Sequence, residues 1–256
     1  MKKNVLKKFA AAALAAATVM SSMSVMAFAD EVGATANTGS VTITKYMGDA
    51  AESYETIETN YGASHEVSGT TEKLKDVKFA YIEVGMRAQV EVTDSATNKT
   101  TTEMLYTLTE NAATALNLPA ADVTEDGTKY YRMSTLDTAI RNRKNEVIDL
   151  VKTTSENHAM STGEEGTVKF SDLSLEKLYL FAETDASAAK KLDNTPVAVT
   201  KVSVPFFVSL PFTDASGKSV TDIYAYPKNS TGNVNIDKEI ESLGTTTING
   251  KQANAN

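Results

Sequence analysis

Ile223-Tyr224-Ala225-Tyr226-Pro227-Lys228-Asn229 reads as the last strand of a β domain. Ile223, Ala225 and Pro227 alternate with Tyr224, Tyr226 and Lys228, which is the two-residue period of a strand. Proline belongs at strand ends or on edge strands. This reading therefore puts Lys228 at the surface, beside an edge, where the strand gives out. If the strand continues, Asn229 points to the opposite face, toward the core. A lysine next to an inward amide is a bland feature by itself, and its meaning depends on the other strands.

The first of these is Gly39-Ser40-Val41-Thr42-Ile43-Thr44-Lys45-Tyr46. Val41, Ile43 and Lys45 share one face. A lysine on the apolar side leaves two readings open. Either the strand ends at Thr44 and the amine snorkels out, or the amine is buried and loses its charge. Residues 47–72 are polar and read as an exposed loop with short strands. Leu74 to Val84 is a strong second strand, rich in β-branched and aromatic residues. Gln89 to Thr93 reads as another, with a turn at Asn98-Lys99-Thr100.

The middle of the chain changes period. Thr107 to Leu116 reads as a helix closed by Pro119. Asp126-Gly127 signals a turn, and Lys129 to Met133 a short strand. Ser134 is placed to cap a helix, with Asp137 three residues on. Leu136, Ile140, Val147 and Val151 then recur at helical spacing. Arg141, Arg143 and Lys144 lie between them and read as a solvated face. The β pattern returns at Thr167 to Phe170, Leu178 to Thr184, Val197 to Ser203 and Phe206 to Leu210. Glu183 sits inside the apolar run Leu178-Tyr179-Leu180-Phe181-Ala182. If buried, it needs a partner or a proton. Many short strands around a helical insertion make an all-β sandwich with a minor helical part.

Met1 to Ala29 has the three parts of a secretory signal: Lys2, Lys3, Lys7 and Lys8, then an Ala-rich apolar core, then Ala27-Phe28-Ala29 before Asp30. The segment holds no acidic residue, so its removal makes a chain of net charge −8 more acidic still. That argues against nucleic acid or anionic lipid as a partner. With no cysteine, any cross-link must be of another kind than a disulfide. His65 and His158 are the only histidines and lie far apart. No metal site, cofactor site or Ser-His-Asp constellation is expected, nor an enzyme acting on external substrates.

Tyr226-Pro227-Lys228, with Val204-Pro205-Phe206-Phe207-Val208-Ser209-Leu210-Pro211-Phe212-Thr213 upstream and Asn229 downstream, resembles the amino-terminal domain of Gram-positive shaft pilins. These are the SpaA-type pilins assembled by sortases. Tyr179-Leu180-Phe181-Ala182-Glu183-Thr184 resembles the family's E-box, with Phe181 in place of the usual leucine. Ser219 and Ala225 stand where an aromatic residue and a valine are usual. The resemblance covers residues 38–229.

It implies an immunoglobulin-like (Cna-B-like) sandwich. It also implies a structural role, with identical pilin subunits and a class C sortase as partners. Lys228 would be the pilin-motif lysine that joins one subunit to the next. Lys45 and Asn229 would form an intramolecular isopeptide bond promoted by Glu183, with burial lowering the lysine pKa and raising that of the glutamate. The alternative is an adhesin domain of the same fold that is not polymerised.

The expected organisation is a signal at 1–29, a mobile arm at 30–37 and a sandwich domain at 38–232. Residues 233–256 read as a linker and the truncated start of a second domain. There Val234-Asn235-Ile236-Asp237-Lys238 repeats the pattern of Val41 to Lys45. The family's sorting signal and membrane tail do not occur before Asn256, which reads as a truncated product or partial gene.

Overall fold

The computed structural model describes residues 38–48, 57–61, 72–155, 158–213, 219–231, 246–248 and 251–253. The expected signal, the arm, His65 and most of 233–256 lie outside these residues. The early strands are β1 (Thr38–Thr44), β2 (Tyr46–Gly48), β3 (Ile57–Tyr61), β4 (Leu74–Lys75), β5 (Lys78–Thr93) and β6 (Thr100–Leu108). Helix α1 (Glu110–Leu116), the hairpin β7 (Val123–Glu125) and β8 (Thr128–Tyr130), then α2 (Met133–Asn142) and α3 (Lys144–Thr154) form the insertion. The chain returns to strands with β9 (Ala159–Ser161), β10 (Thr167–Ser174), β11 (Lys177–Asp185), β12 (Lys190–Lys191), β13 (Val199–Lys201) and β14 (Phe206–Ser209). It continues with β15 (Phe212–Thr213), β16 (Ser219–Val220) and β17 (Asp222–Thr231). A short hairpin of β18 (Thr246–Ile248) and β19 (Lys251–Ala253) follows.

Two sheets make the sandwich. One runs β10-β1-β17-β13, with β2 and β3 also paired to β17. The other runs β14-β11-β5-β6, with β9 also paired to β5. Val41, Ile43, Phe170, Ile223 and Ala225 of the first sheet meet Phe79, Tyr179, Phe181 and Val208 of the second in one apolar core. The second sheet is covered on its other face too. Leu178, Leu180 and Ala182 of β11 pack there with Leu116, Leu136, Ile140, Val147 and Val151 of the helices. Strand β11 therefore reads as an unbroken buried run from Leu178 to Glu183, because alternate side chains enter two different cores. The expected immunoglobulin-like sandwich with a helical insertion is the observed architecture, with the helices as a third layer.

Several local expectations change. Leu74–Val84 and Gln89–Thr93 are not two separate strands, since β5 runs on from Lys78 to Thr93. Thr100 to Leu108 is strand β6, and helix α1 begins only at Glu110, where the Thr109 hydroxyl accepts from the Ala112 amide. The turn therefore ends before Thr100. The Asp126-Gly127 turn is as expected, with both residues at positive φ between β7 and β8. Ser134 lies inside α2 and caps nothing; the residue before the helix is Arg132, which makes no side-chain cap. The single expected helix is two, broken at Arg143. Ile140 and Val147, on either side of the break, are both buried in the core beneath the helices.

Gly85 marks the point where β5 is handed from β11 to β6. A Cβ there would lie 1.9 Å from the Thr107 carbonyl oxygen. Backbone cannot move aside as a flexible side chain can. Gly85→Ala is therefore expected to lower stability by about 1–3 kcal/mol through overpacking. Thermal unfolding checks this, and an unchanged midpoint would count against so close an approach.

Candidate functional site

Three polar side chains meet between the sheets. Lys45 follows β1, Glu183 is on β11, and Asn229 is on β17. Their relative exposures are 0%, 1% and 0%. Glu183 shares its strand face with Tyr179 and Phe181, so it points at the first sheet. The Lys45 Nζ lies 2.9 Å from Glu183 Oε2 and donates to Asn229 Oδ1. Asn229 Nδ2 donates to Glu183 Oε1 at 2.6 Å. Ser203, in the crossover from β13 to β14, gives Oε2 two more donors: its backbone N–H at 3.1 Å and its hydroxyl at 2.7 Å. The amine also stands 5.8 Å from the centre of the Phe79 ring, which shields it further.

Of the two readings of Lys45, the structure has the buried one. Burial, the dominant influence, pushes the amine below the ordinary lysine range, against the pull of Glu183. Glu183 departs from the expectation that its pKa would be raised. Burial alone pushes it up, but the Lys45 charge and the donors from Asn229, Lys45 and Ser203 hold the carboxyl below its usual range. The site thus keeps a carboxylate beside a weakened ammonium, close enough for a proton to pass directly. The amide is also held with its oxygen toward the lysine and its nitrogen toward the glutamate.

Lys228 is placed differently from the reading of the sequence. It does not lie at a terminal edge. Strand β17 continues to Thr231 and has neighbours on both sides, with Lys228 itself opposite Tyr46 of β2. Pro227 is tolerated because it falls where the partner on one side changes. Ala225 pairs with Ile43 of β1, and pairing resumes at Lys228 with β2. Lys228 is half-buried, and Asn229 beside it is inward as expected. Ser203 was missed from sequence. A serine one residue before a Val-Pro pair carries no signal until the crossover is folded. Among the described residues no group of His, Cys, Asp and Glu is arranged to hold a metal ion.

The immunoglobulin-like sandwich thus brings a buried Lys, Glu and Asn together between its two sheets. Residues 36–230 match the family model for the Gram-positive pilin subunit D1, N-terminal domain, and the chain belongs to that family. The shaft pilin SpaA of Lactobacillus rhamnosus GG is similar in structure at 17% identity and a TM-score of 0.35. The match covers 76% of this chain and 51% of that one, so the chain spans about half the length of that pilin. The SpaA pilin of Corynebacterium diphtheriae, solved in complex with a signal peptide, is similar at 16% identity and a TM-score of 0.32. There the match covers 76% of this chain and 99% of that one. Among curated proteins no match was found.

Among the described residues, Glu183 is the charge that favours the Lys45 ammonium. In a chain whose three residues are not covalently joined, Glu183→Ala leaves a buried amine without its counter-ion. That is expected to cost about 3–5 kcal/mol. A Lys45→Met/Glu183→Leu double variant is expected to recover most of this loss. Denaturant unfolding checks both. Because the folded carboxyl is held low, its contribution is present above the unfolded carboxylate pKa and is lost as pH falls through the folded value.

Proposed function

We propose that this chain is a structural subunit of a covalently polymerised cell-surface pilus, exported by its leader. We further propose that its first domain carries an intramolecular bond between Lys45 and Asn229. The observation that supports the bond most directly is the buried Lys45–Glu183–Asn229 contact within a pilin-family domain. The proposed chemistry needs no external reactant. A proton passes from Lys45 Nζ to Glu183 Oε2, which leaves a neutral amine. The amine attacks the Asn229 amide carbon. Glu183 then gives this proton to the amide nitrogen and takes the second proton from Nζ. The carbon–nitrogen bond to Nδ2 breaks, ammonia leaves as ammonium, and the carboxylate is restored. The tie closes a separation of 184 residues. By analogy with a disulfide, it stabilises by about 5 kcal/mol if unstrained.

For polymerisation, Lys228 is proposed as the nucleophile. Its amine attacks the thioester that a class C sortase forms with the sorting-signal threonine of the neighbouring subunit. An N–C bond forms, the C–S bond breaks, and the proton goes to the sulfur. A second reading, an adhesin domain of the same fold that is not polymerised, draws on the half-buried position of Lys228 on an interior strand. Co-expression of a full-length version of the chain, carrying a sorting signal, with a class C sortase separates the two. The pilus reading expects a ladder of covalent multimers that Lys228→Ala abolishes; the adhesin reading expects none.

The internal bond is read by intact mass, which falls by about 17 Da when ammonia leaves. Glu183→Ala is expected to restore the full mass. A loss that survives this substitution would reject the role given to Glu183.

A further inference from the structure

Two residues outside the trio reach it from a third element. Lys144 opens α3, and its amine donates to the Val202 carbonyl. The next residue, Ser203, places both its N–H and its hydroxyl on Glu183 Oε2, the oxygen that faces Lys45. The helix layer is thus linked to the cluster through one peptide unit. We propose that Lys144 and Ser203 set the proton balance of the Lys45–Glu183 pair in opposite senses. Lys144 favours loss of the proton from Lys45, while Ser203 resists its arrival on Glu183. The inference rests on the cross-linking reading above.

The argument is electrostatic. Proton transfer from Nζ to Oε2 must precede attack, because an ammonium has no lone pair. Every donor on Oε2 stabilises the carboxylate more than the acid, so the Ser203 hydroxyl weakens Glu183 as a base. The backbone N–H stays when the hydroxyl is removed, so the carboxyl keeps its orientation. Lys144 works on the other partner. A second positive charge near Lys45 disfavours its ammonium, adding to the larger effect of burial. Among the described residues, the charges acting on Lys45 are Glu183 and Lys144, and the charge acting on Glu183 is Lys45. Neither Lys144 nor Ser203 touches the reacting amide; both are positioning residues that act through the pair. Their opposition is what a purely structural role lacks, since loosening the fold slows the reaction in both variants.

The test follows the mass of the full chain at intervals after cell-free synthesis, each sample being quenched in denaturant. Ser203→Ala is expected to lose ammonia faster than the unsubstituted chain, by several-fold and up to about tenfold, the scale of one ordinary hydrogen bond. Lys144→Met is expected to be slower by a similar factor. Ser203→Thr, which keeps the hydroxyl, is expected to match the unsubstituted rate, and this separates the hydroxyl's effect from a folding defect. A Ser203→Ala rate equal to or below the unsubstituted one overturns the proposal, as does a Lys144→Met rate that is unchanged or raised. If the unsubstituted chain never loses mass, the cross-linking reading itself has failed. Ser203 is then judged by the carbon-13 titration of the Glu183 carboxyl. An upward shift in Ser203→Ala supports the electrostatic role, and an unmoved titration overturns it.

Discussion

A carboxylate between two β sheets is the constraint on which this domain turns. Glu183 is surrounded by apolar side chains, and a lone charge there would be strongly unfavourable. Its position is tolerated because three separate parts of the chain converge on it: the end of β1, the inner face of β17 and the crossover from β13 to β14. Each supplies a donor. A buried ion pair is nevertheless poor evidence of stability, because desolvating both partners offsets most of their attraction. Well-packed apolar residues would close the same space at less cost. This favours the proposed reactive role of the cluster over a purely stabilising one.

The helix layer closes the other face of the sheet that carries Glu183. A two-sheet sandwich leaves the outer face of each sheet to solvent, so a strand such as β11 would be buried on one side. Here α1, α2 and α3 cover the second face, and Leu178, Leu180 and Ala182 pack beneath them. Glu183 is thereby sealed from behind as well as from in front. Burial between the two sheets weakens the ammonium of Lys45. The insertion that looks peripheral in the sequence adds to the electrostatics of the cluster through the charge of Lys144 on α3.

The sequence carries much of this. Two-residue alternation places Lys45 on the apolar face of the first strand and turns Asn229 inward. The apolar run around Glu183 marks it as a carboxylate out of place. What alternation cannot convey is burial on both faces, and this hid strand β6. Its adjacent Leu105 and Tyr106 are both buried, so no clean period survives and the helix formers downstream dominate. The break at Arg143 is invisible because Leu136, Ile140, Val147 and Val151 have the spacing of one continuous helix. Ser203 and Lys144 depend on long-range register, which no local pattern records.

Lys45 and Pro227 share one explanation. Strands β1 and β2 run along the same side of β17 at the same offset, from Ser40 opposite Asp222 to Tyr46 opposite Lys228. The ladder is interrupted between them. At the interruption, the Lys45 amide turns away to the Gly166 carbonyl, and its own carbonyl accepts from Leu74. On the same register Pro227 stands opposite Lys45, so no ladder bond to this neighbour is asked of a residue that has no N–H to give. The backbone groups of Lys45 are satisfied elsewhere, which leaves its side chain to enter the core toward Glu183 and Asn229. A proline that local rules assign to an edge thus sits on an interior strand, and a lysine that local rules would send to solvent is buried. Both follow from one gap in pairing, two residues before Asn229.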